Sequence, residues 1–378
     1  MPACKPWFCS SGKQEGQGSK RTRTTPCASE TSHFLFFSAK TRTLEKRYAK
    51  LMKFDHFLPI FCQNLSKFIK FCQNLSNFCQ NLTKNVQKVI LGKKLRLPVC
   101  LAPIGSLESF DPEGGVAAMR AATEFGCGLM LSSVSQLSME QVSNAGDCLK
   151  MAMLYKRGDN RFLDNYVSRA IDSGYDAFCL TVDSANYSRR ERDIANRFVK
   201  PWRTGKGADW QAALSWKDIE RYKKKYELPL VLKGIATAED AQLALEHGVD
   251  VIYVSNHGGR QLDHGLGAID VLPEVVDAVS GRCLIAVDGG FSRGTDIIKG
   301  IALGADFVGI GRMLCYGLAA AGADGVIRML ELLEEEVKLG LGLLGANNYS
   351  VIEPSQLCSA APTVEPSVVS AFTLFEKD

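Results

Sequence analysis

The sequence predicts an α/β protein built on a closed (β/α)8 barrel, and three observations carry that expectation. Eight short apolar runs rich in Val, Ile and Leu recur at 97–103, 128–133, 150–155, 177–183, 229–234, 251–256, 283–288 and 307–311. Runs that are apolar throughout, rather than at alternate positions, suit strands of a parallel sheet covered on both faces. Amphipathic helical stretches separate them, and eight such alternations imply closure into a barrel. The runs also end in small or polar residues, as barrel strands do where the βα loops begin.

The elements follow in order. Residues 1–96 form a basic, Cys-containing extension of low complexity, read as a divergent and disordered N-terminal segment. They hold 18 Lys and Arg against 4 Asp and Glu, about +14, while the remaining 27 basic and 37 acidic residues leave the rest at about −10. Such a segment can bind nucleic acid or anionic lipid, but its charges are scattered among Ser, Thr and Gly without a helical stripe, so neither a nucleic-acid partner nor a membrane is expected. Within it, Phe-Cys-Gln-Asn-Leu recurs from Phe61, Phe71 and Phe78 at unequal spacings, which suits local duplication rather than a solenoid. Its Asn64, Asn74 and Asn81 begin N-x-S/T triplets, which matter only in a secreted chain.

The barrel is expected over 97–345. Thr237 caps a helix with Glu239 and Asp240 in its first turn and Gly248 behind it, and the helix from Asn160 stops at Gly174 in the same way. The excursion 184–226 after the fourth strand carries Trp202, Trp210 and Trp216 and is expected over the catalytic face. After Leu343 periodicity fades, and 346–378 reads as a loosely docked tail.

Composition excludes several classes. Hydrophobic residues make up 46% and charged residues 23%, as in an ordinary globular protein, and no apolar run approaches the ~18 residues of a membrane span. The 13 Cys show no paired C-x2-C spacing, and no signal peptide opens the chain, so reduced thiols and a cytoplasmic location are expected and no metal is implied. The terminal Glu376-Lys377-Asp378 is not a peroxisomal tripeptide.

Barrel active sites form where strands end, so the polar residues there are the candidates. They are Ser132 and Ser133, Tyr155, Thr181 with Asp183, Lys233, Ser255-Asn256-His257-Gly258-Gly259-Arg260, Asp288-Gly289-Gly290 and Gly311-Arg312. A lone His is more often structural; here an adjoining Arg260, two glycines that let the backbone approach a ligand, and the position at a strand end favour a base. The glycine turns after the last two strands read either as tight packing turns or as phosphate cradles, and their pairing with Arg312 favours phosphate.

A wider set of motifs runs along the barrel: Leu97-Pro98-Val99 with Ala102-Pro103, Leu131-Ser132-Ser133, Leu180-Thr181-Val182-Asp183, Arg189-Arg190-Glu191-Arg192-Asp193, Leu232-Lys233-Gly234-Ile235, Ser255 through Asp263, Asp288-Gly289-Gly290, Arg293-Gly294-Thr295-Asp296 and Ile310-Gly311-Arg312. In this order the chain resembles the FMN-dependent 2-hydroxy-acid dehydrogenase family, which includes glycolate oxidase, lactate oxidase and mandelate dehydrogenase. The resemblance implies FMN as cofactor, a small L-2-hydroxy acid as substrate and a homo-oligomer. It implies that His257 takes a proton as the α-hydrogen leaves, in a carbanion or a hydride step, with Asp183 stabilising the imidazolium and Tyr155 holding the substrate oxygen. Arg260 and Arg190 would clamp the carboxylate, a task for bidentate guanidinium. Lys233 would face the pyrimidine end of the flavin, Ser132, Thr181 and Ser255 would bind its ring system, and Asp288, Gly289, Gly290, Arg293, Gly311 and Arg312 would bind the ribityl phosphate.

Departures from the family pattern accompany these matches. Residues 1–90 show no counterpart of a substrate-binding Tyr, Met153 stands where a Gln is usual, Ser292 where an Arg is frequent, and Gly105 where oxidases often carry Ala. A flavin-binding barrel with impaired turnover is therefore the alternative expectation. A different phosphate-binding barrel, such as an isomerase, would lack the set of Asp183, His257 and Arg260.

Overall fold

The computed structural model describes residues 86–188, 194–197, 208–262 and 264–359. An antiparallel hairpin, β1 (Lys88–Ile90) and β2 (Lys93–Leu95), leads into β3 (Val99–Leu101), β4 (Gly128–Ser132), β5 (Leu149–Leu154), β6 (Ala177–Thr181), β7 (Leu230–Ile235), β8 (Val251–Val254), β9 (Leu284–Val287) and β10 (Phe307–Ile310). β3 to β10 pair in parallel in sequence order, and β10 returns to β3 to close an eight-stranded barrel. Each apolar run coincides with one barrel strand to within two residues at either end.

Side chains alternate across these strands, as the pleat requires. Cys100, Met130, Met151, Met153, Cys179, Val231, Tyr253, Ala286 and Phe307 fill the barrel interior. Their neighbours, among them Leu101, Leu129, Leu131, Leu180, Leu232, Val254 and Val308, pack outward against the helices. Gly309 is where the interior needs its smallest residue, because a Cβ there would lie 1.8 Å from the Tyr253 hydroxyl.

The N-terminal end of the barrel is tied by a repeated device. Asp176, Asp250 and Asp306 each precede a strand and accept the backbone N–H of Lys150, Leu230 and Ile285 at 2.7, 2.7 and 2.9 Å. Each also faces a lysine: Lys93 at 3.7 Å, Lys223 at 2.7 Å and Lys88 at 2.9 Å. Lys88 and Lys93 belong to the hairpin, whose Ile90 and Leu95 join the interior cluster. Its turn, Leu91 and Gly92, has positive φ at both residues, as a two-residue hairpin turn demands. The boundary expected at 96 therefore falls after an element that is integral to the barrel; two three-residue strands rich in Lys carry too little periodicity to read from sequence.

Two helix ends follow the expected capping. The Thr237 Oγ1 accepts from Asp240 N at 3.1 Å and opens Ala238–Glu246, and Gly248 follows at φ +71°. Helix Asn160–Asp172 is followed by Gly174, also at φ +71°. The excursion expected at 184–226 instead includes one of the barrel's own helices, Trp216–Lys225. Trp216 stacks on His247 with centroids 4.9 Å apart, Trp210 is exposed on the short helix Ala208–Ala212, and Trp202 lies outside the described residues.

The last helix, Arg312–Leu343, is long and apolar enough to cross a membrane, although no unbroken apolar run in the sequence signals it. It breaks at Ala321 and Gly322 and buries Leu314, Leu318, Leu330, Leu333 and Val337 against the protein. Beyond it, Tyr349 and Ile352 join the core, so the segment read as a loose tail is anchored at least that far.

Candidate active site

At the C-terminal end of the barrel three consecutive groups align. Tyr155 follows β5, Asp183 follows β6 and His257 follows β8. Asp183 Oδ1 lies 2.9 Å from His257 Nδ1, and Tyr155 Oη lies 3.2 Å from His257 Nε2. The imidazole therefore bridges a carboxylate and a phenol. Burial pushes the Asp183 carboxyl up, but the hydrogen bond and charge of His257, together with Lys233, outweigh it and leave the pKa below the ordinary aspartate value. Burial, with Asp183 nearby, pushes the Tyr155 phenol well up, so it stays a proton donor at neutral pH.

Local backbone choices make this possible. Gly234, in β7, has φ +106°, and a Cβ on it would lie 2.6 Å from the Asp183 Cβ and 2.9 Å from its backbone N. Only glycine meets both conditions. His257 itself has φ +59° and its backbone N–H donates to Ser255 Oγ at 3.1 Å.

Behind this row sits a buried polar cluster. Lys233 Nζ donates to Ser255 Oγ at 2.8 Å and lies 3.1 Å from Asp288 Oδ2, while Ser255 Oγ donates to Asp288 Oδ1 at 2.6 Å. Burial pushes the Lys233 ammonium down; the Asp288 and Asp183 carboxylates more than offset this, and its pKa stands above the ordinary lysine value. A charged ammonium is thus held in the barrel mouth. Asp288, expected at a phosphate, is turned inward onto Lys233 and Ser255; two like charges together would repel, so the pairing found is the favourable one.

Several features fit a flavin mononucleotide. The Thr181 Oγ1 is buried without a hydrogen-bond partner among the described residues, and such groups ordinarily have one. Ser132 Oγ accepts from Val134 N at 3.3 Å. Gly289 and Gly290 have φ +110° and +90°, and a Cβ on Gly290 would meet nothing within 4 Å. Gly311 precedes helix Arg312–Leu343, whose N-terminus has no side-chain cap, leaving backbone N–H groups suited to a phosphate. The Arg293 guanidinium pairs with Glu336 Oε1 at 2.5 Å, and Asp296 and Glu336 accept from the backbone N–H groups of Arg293 and Gly294 where helix Gly294–Ala302 begins. That helix N-terminus is satisfied by carboxylates.

Arg260 is exposed in the loop after β8, and its backbone oxygen accepts from Ser188 Oγ. Arg190 and Asp263 lie outside the described residues. Met153 presents an apolar side chain to the barrel interior, and Ser292 N donates to Asp296 Oδ2 at 3.1 Å. Gly105 packs against Val134, whose Cγ2 would be 2.4 Å from a Cβ at 105. A buried polar residue outside the expected set also serves these strand ends. Gln211 accepts from Lys156 N at 2.6 Å and donates to Thr181 O at 2.7 Å, joining the ends of β5 and β6. Its only sequence signal is a single amide in the run Trp210-Gln211-Ala212-Ala213-Leu214.

Known proteins resemble this chain. The FMN-dependent dehydrogenase family matches residues 63–359. An L-lactate oxidase of Nostoc sp. is 38% identical over 301 residues, covering 72% of this chain and 82% of that protein. Glycolate oxidase of Spinacia oleracea is 38% identical over 293 residues, covering 71% of this chain and 79% of that protein. A crystal structure of mandelate oxidase superposes with a TM-score of 0.67 at 39% identity, covering 71% of this chain and 80% of that one. With a closed barrel, a His-centred row at its C-terminal end and a match over most of its length, the chain belongs to the FMN-dependent dehydrogenase family, whose members are oxidoreductases.

Proposed function

We propose that this protein oxidises a small L-2-hydroxy acid to the 2-oxo acid, with FMN as the redox group. The observation that carries the proposal is the bridge from Asp183 through His257 to Tyr155, set above the buried Lys233. When bound, FMN would supply the oxidant, taking the two electrons and the second hydrogen of the substrate; Thr181, Ser132, Ser255, Gly289, Gly290, Gly311 and Arg312 would hold it, and the Lys233 ammonium would offset negative charge on its reduced ring.

The protein's own groups divide the remaining work. His257 Nε2 is the face of the imidazole turned away from Asp183, so it takes the proton of the substrate, and the Asp183 carboxylate stabilises the imidazolium formed at Nδ1. Tyr155 donates its phenolic hydrogen to the substrate oxygen in the space it now shares with His257 Nε2. Arg260, carried by the same loop, binds the substrate carboxylate, and Arg190 completes the clamp.

Purified protein loaded with FMN should bleach anaerobically when mixed with one or more of glycolate, lactate, a longer-chain 2-hydroxy acid or mandelate. Bound FMN that none of these reduces would defeat the proposal and favour a flavin-binding barrel without turnover.

A further inference from the structure

We infer that Gln261 is a positioning residue for the candidate base, latching the loop after β8 to the loop after β6 so that His257 and Asp183 move as one unit. The inference rests on the function proposed above, in which His257 is the base. Gln261 Nε2 donates to the backbone oxygens of Asp183 at 3.2 Å and Asn186 at 3.1 Å. Asp183 is also the residue whose carboxylate meets His257 Nδ1 at 2.9 Å. The segment from His257 to Gln261 is thereby tied at both ends to the same aspartate, once through its side chain and once through its main chain. Ser188 Oγ adds a tie from the β6 loop to the Arg260 backbone.

The need for a latch is visible in the backbone. His257, Gly258 and Gly259 have φ of +59°, +67° and +70°, three successive left-handed residues, the first of them an L side chain that disfavours that region. Among the described residues packing does not hold this turn: a Cβ on either glycine would meet nothing within 4 Å, and Leu262 just beyond is 84% exposed. Its shape depends on hydrogen bonds. Gly259 N donates to the Asn256 backbone and side-chain oxygens at 3.0 and 3.1 Å, which fix the turn internally. The Gln261 carboxamide is the tie to the Asp183 main chain, beside the imidazole contact at its side chain. Without it the turn keeps its internal bonds but is registered on Asp183 by the imidazole contact alone, and His257 and Arg260 shift together relative to the reacting carbon.

The test uses the full chain loaded with FMN, as wild type, Gln261→Met and Gln261→Glu; neither replacement carries the donating N–H at neutral pH. A displacement of the order of 1 Å at a reacting group costs up to ~100-fold in rate. Both variants should therefore reduce their flavin about 10 to 100 times more slowly with a 2-hydroxy acid that reduces wild type, with the substrate dissociation constant changed by less than the rate and with FMN content and absorbance unchanged. Amide hydrogen exchange over 256–262 should also be faster in both. A reduction rate and exchange equal to wild type, or a rate loss that only tracks lost FMN, would overturn the inference. If no 2-hydroxy acid reduces wild type, the functional proposal fails on its own, and the exchange comparison still decides whether Gln261 is the latch.

Discussion

Replacing Asp183 with Asn isolates the charge behind the base. The amide has nearly the carboxylate's shape, which matters because Gly234 leaves no spare room around it: the contact a Cβ at 234 would make with Asp183 is already 2.6 Å. The oxygen that faces His257 Nδ1 can stay where it is, so the hydrogen bond survives while the negative charge does not. Two opposite unit charges about 4 Å apart near a protein surface interact by about 4 kcal/mol. Only the part of this that develops between ground state and transition state alters the rate, and roughly half of it is about 2 kcal/mol. An unpartnered buried amide costs about 1–3 kcal/mol of stability besides, because the second carboxylate oxygen, Oδ2, has no hydrogen-bond partner among the described residues for an NH2 to replace. At about 1.36 kcal/mol per tenfold, the charge effect alone slows flavin reduction by about 30-fold, and a disturbed His tautomer extends this toward the ~10⁴-fold seen when a catalytic aspartate is neutralised elsewhere. The measurement is anaerobic stopped-flow reduction at saturating substrate, with FMN stoichiometry checked in parallel. A fully FMN-loaded Asp183→Asn variant that reduces within about threefold of wild type would refute the assignment of Asp183 as the group that stabilises the imidazolium.

Two further perturbations test the seat of Asp183 and an ion pair between two outer helices. Gly234→Ala should cost about 1–3 kcal/mol of stability and most of the activity together, since the new methyl meets Asp183 at a φ of +106° that alanine avoids; unchanged melting temperature and rate would contradict the placement of Asp183. The Glu140 carboxyl is pulled down to about 2, first by its hydrogen bond from Arg169 and next by a backbone hydrogen bond. A depressed carboxylate contributes stability that is present above its unfolded value near 4.5 and is lost as pH falls toward 2. Both side chains are about two-fifths exposed, so the pair contributes under about 1 kcal/mol. The melting-temperature gap between wild type and Glu140→Gln should therefore narrow between pH 6 and pH 3, and a gap that is equal at both values would count against the ion pair.

The barrel is legible in the sequence because its signal is local and repeated. Each apolar run is a strand buried on both faces, and eight of them leave little choice of architecture. The strand-end residues are legible for the same reason: Tyr155, Asp183, Lys233 and His257 lie at or just past the ends of apolar runs. What pattern cannot carry is which of them meet. That Asp183 reaches Nδ1 and Tyr155 reaches Nε2 depends on β5, β6 and β8 curving round to one mouth, across 102 residues of chain between Tyr155 and His257. Asp288 and Arg293 show the limit from the other side. Both sit beside a glycine turn of the expected kind, yet each is taken by a charge from elsewhere in the chain, Lys233 and Glu336, because a nearby opposite charge outweighs a positional habit. The hairpin at 88–95, Gln211 and the latch of Gln261 belong to the same class. Their contributions are hydrogen bonds and ion pairs to partners far away in the chain, and these leave no period in the sequence to read.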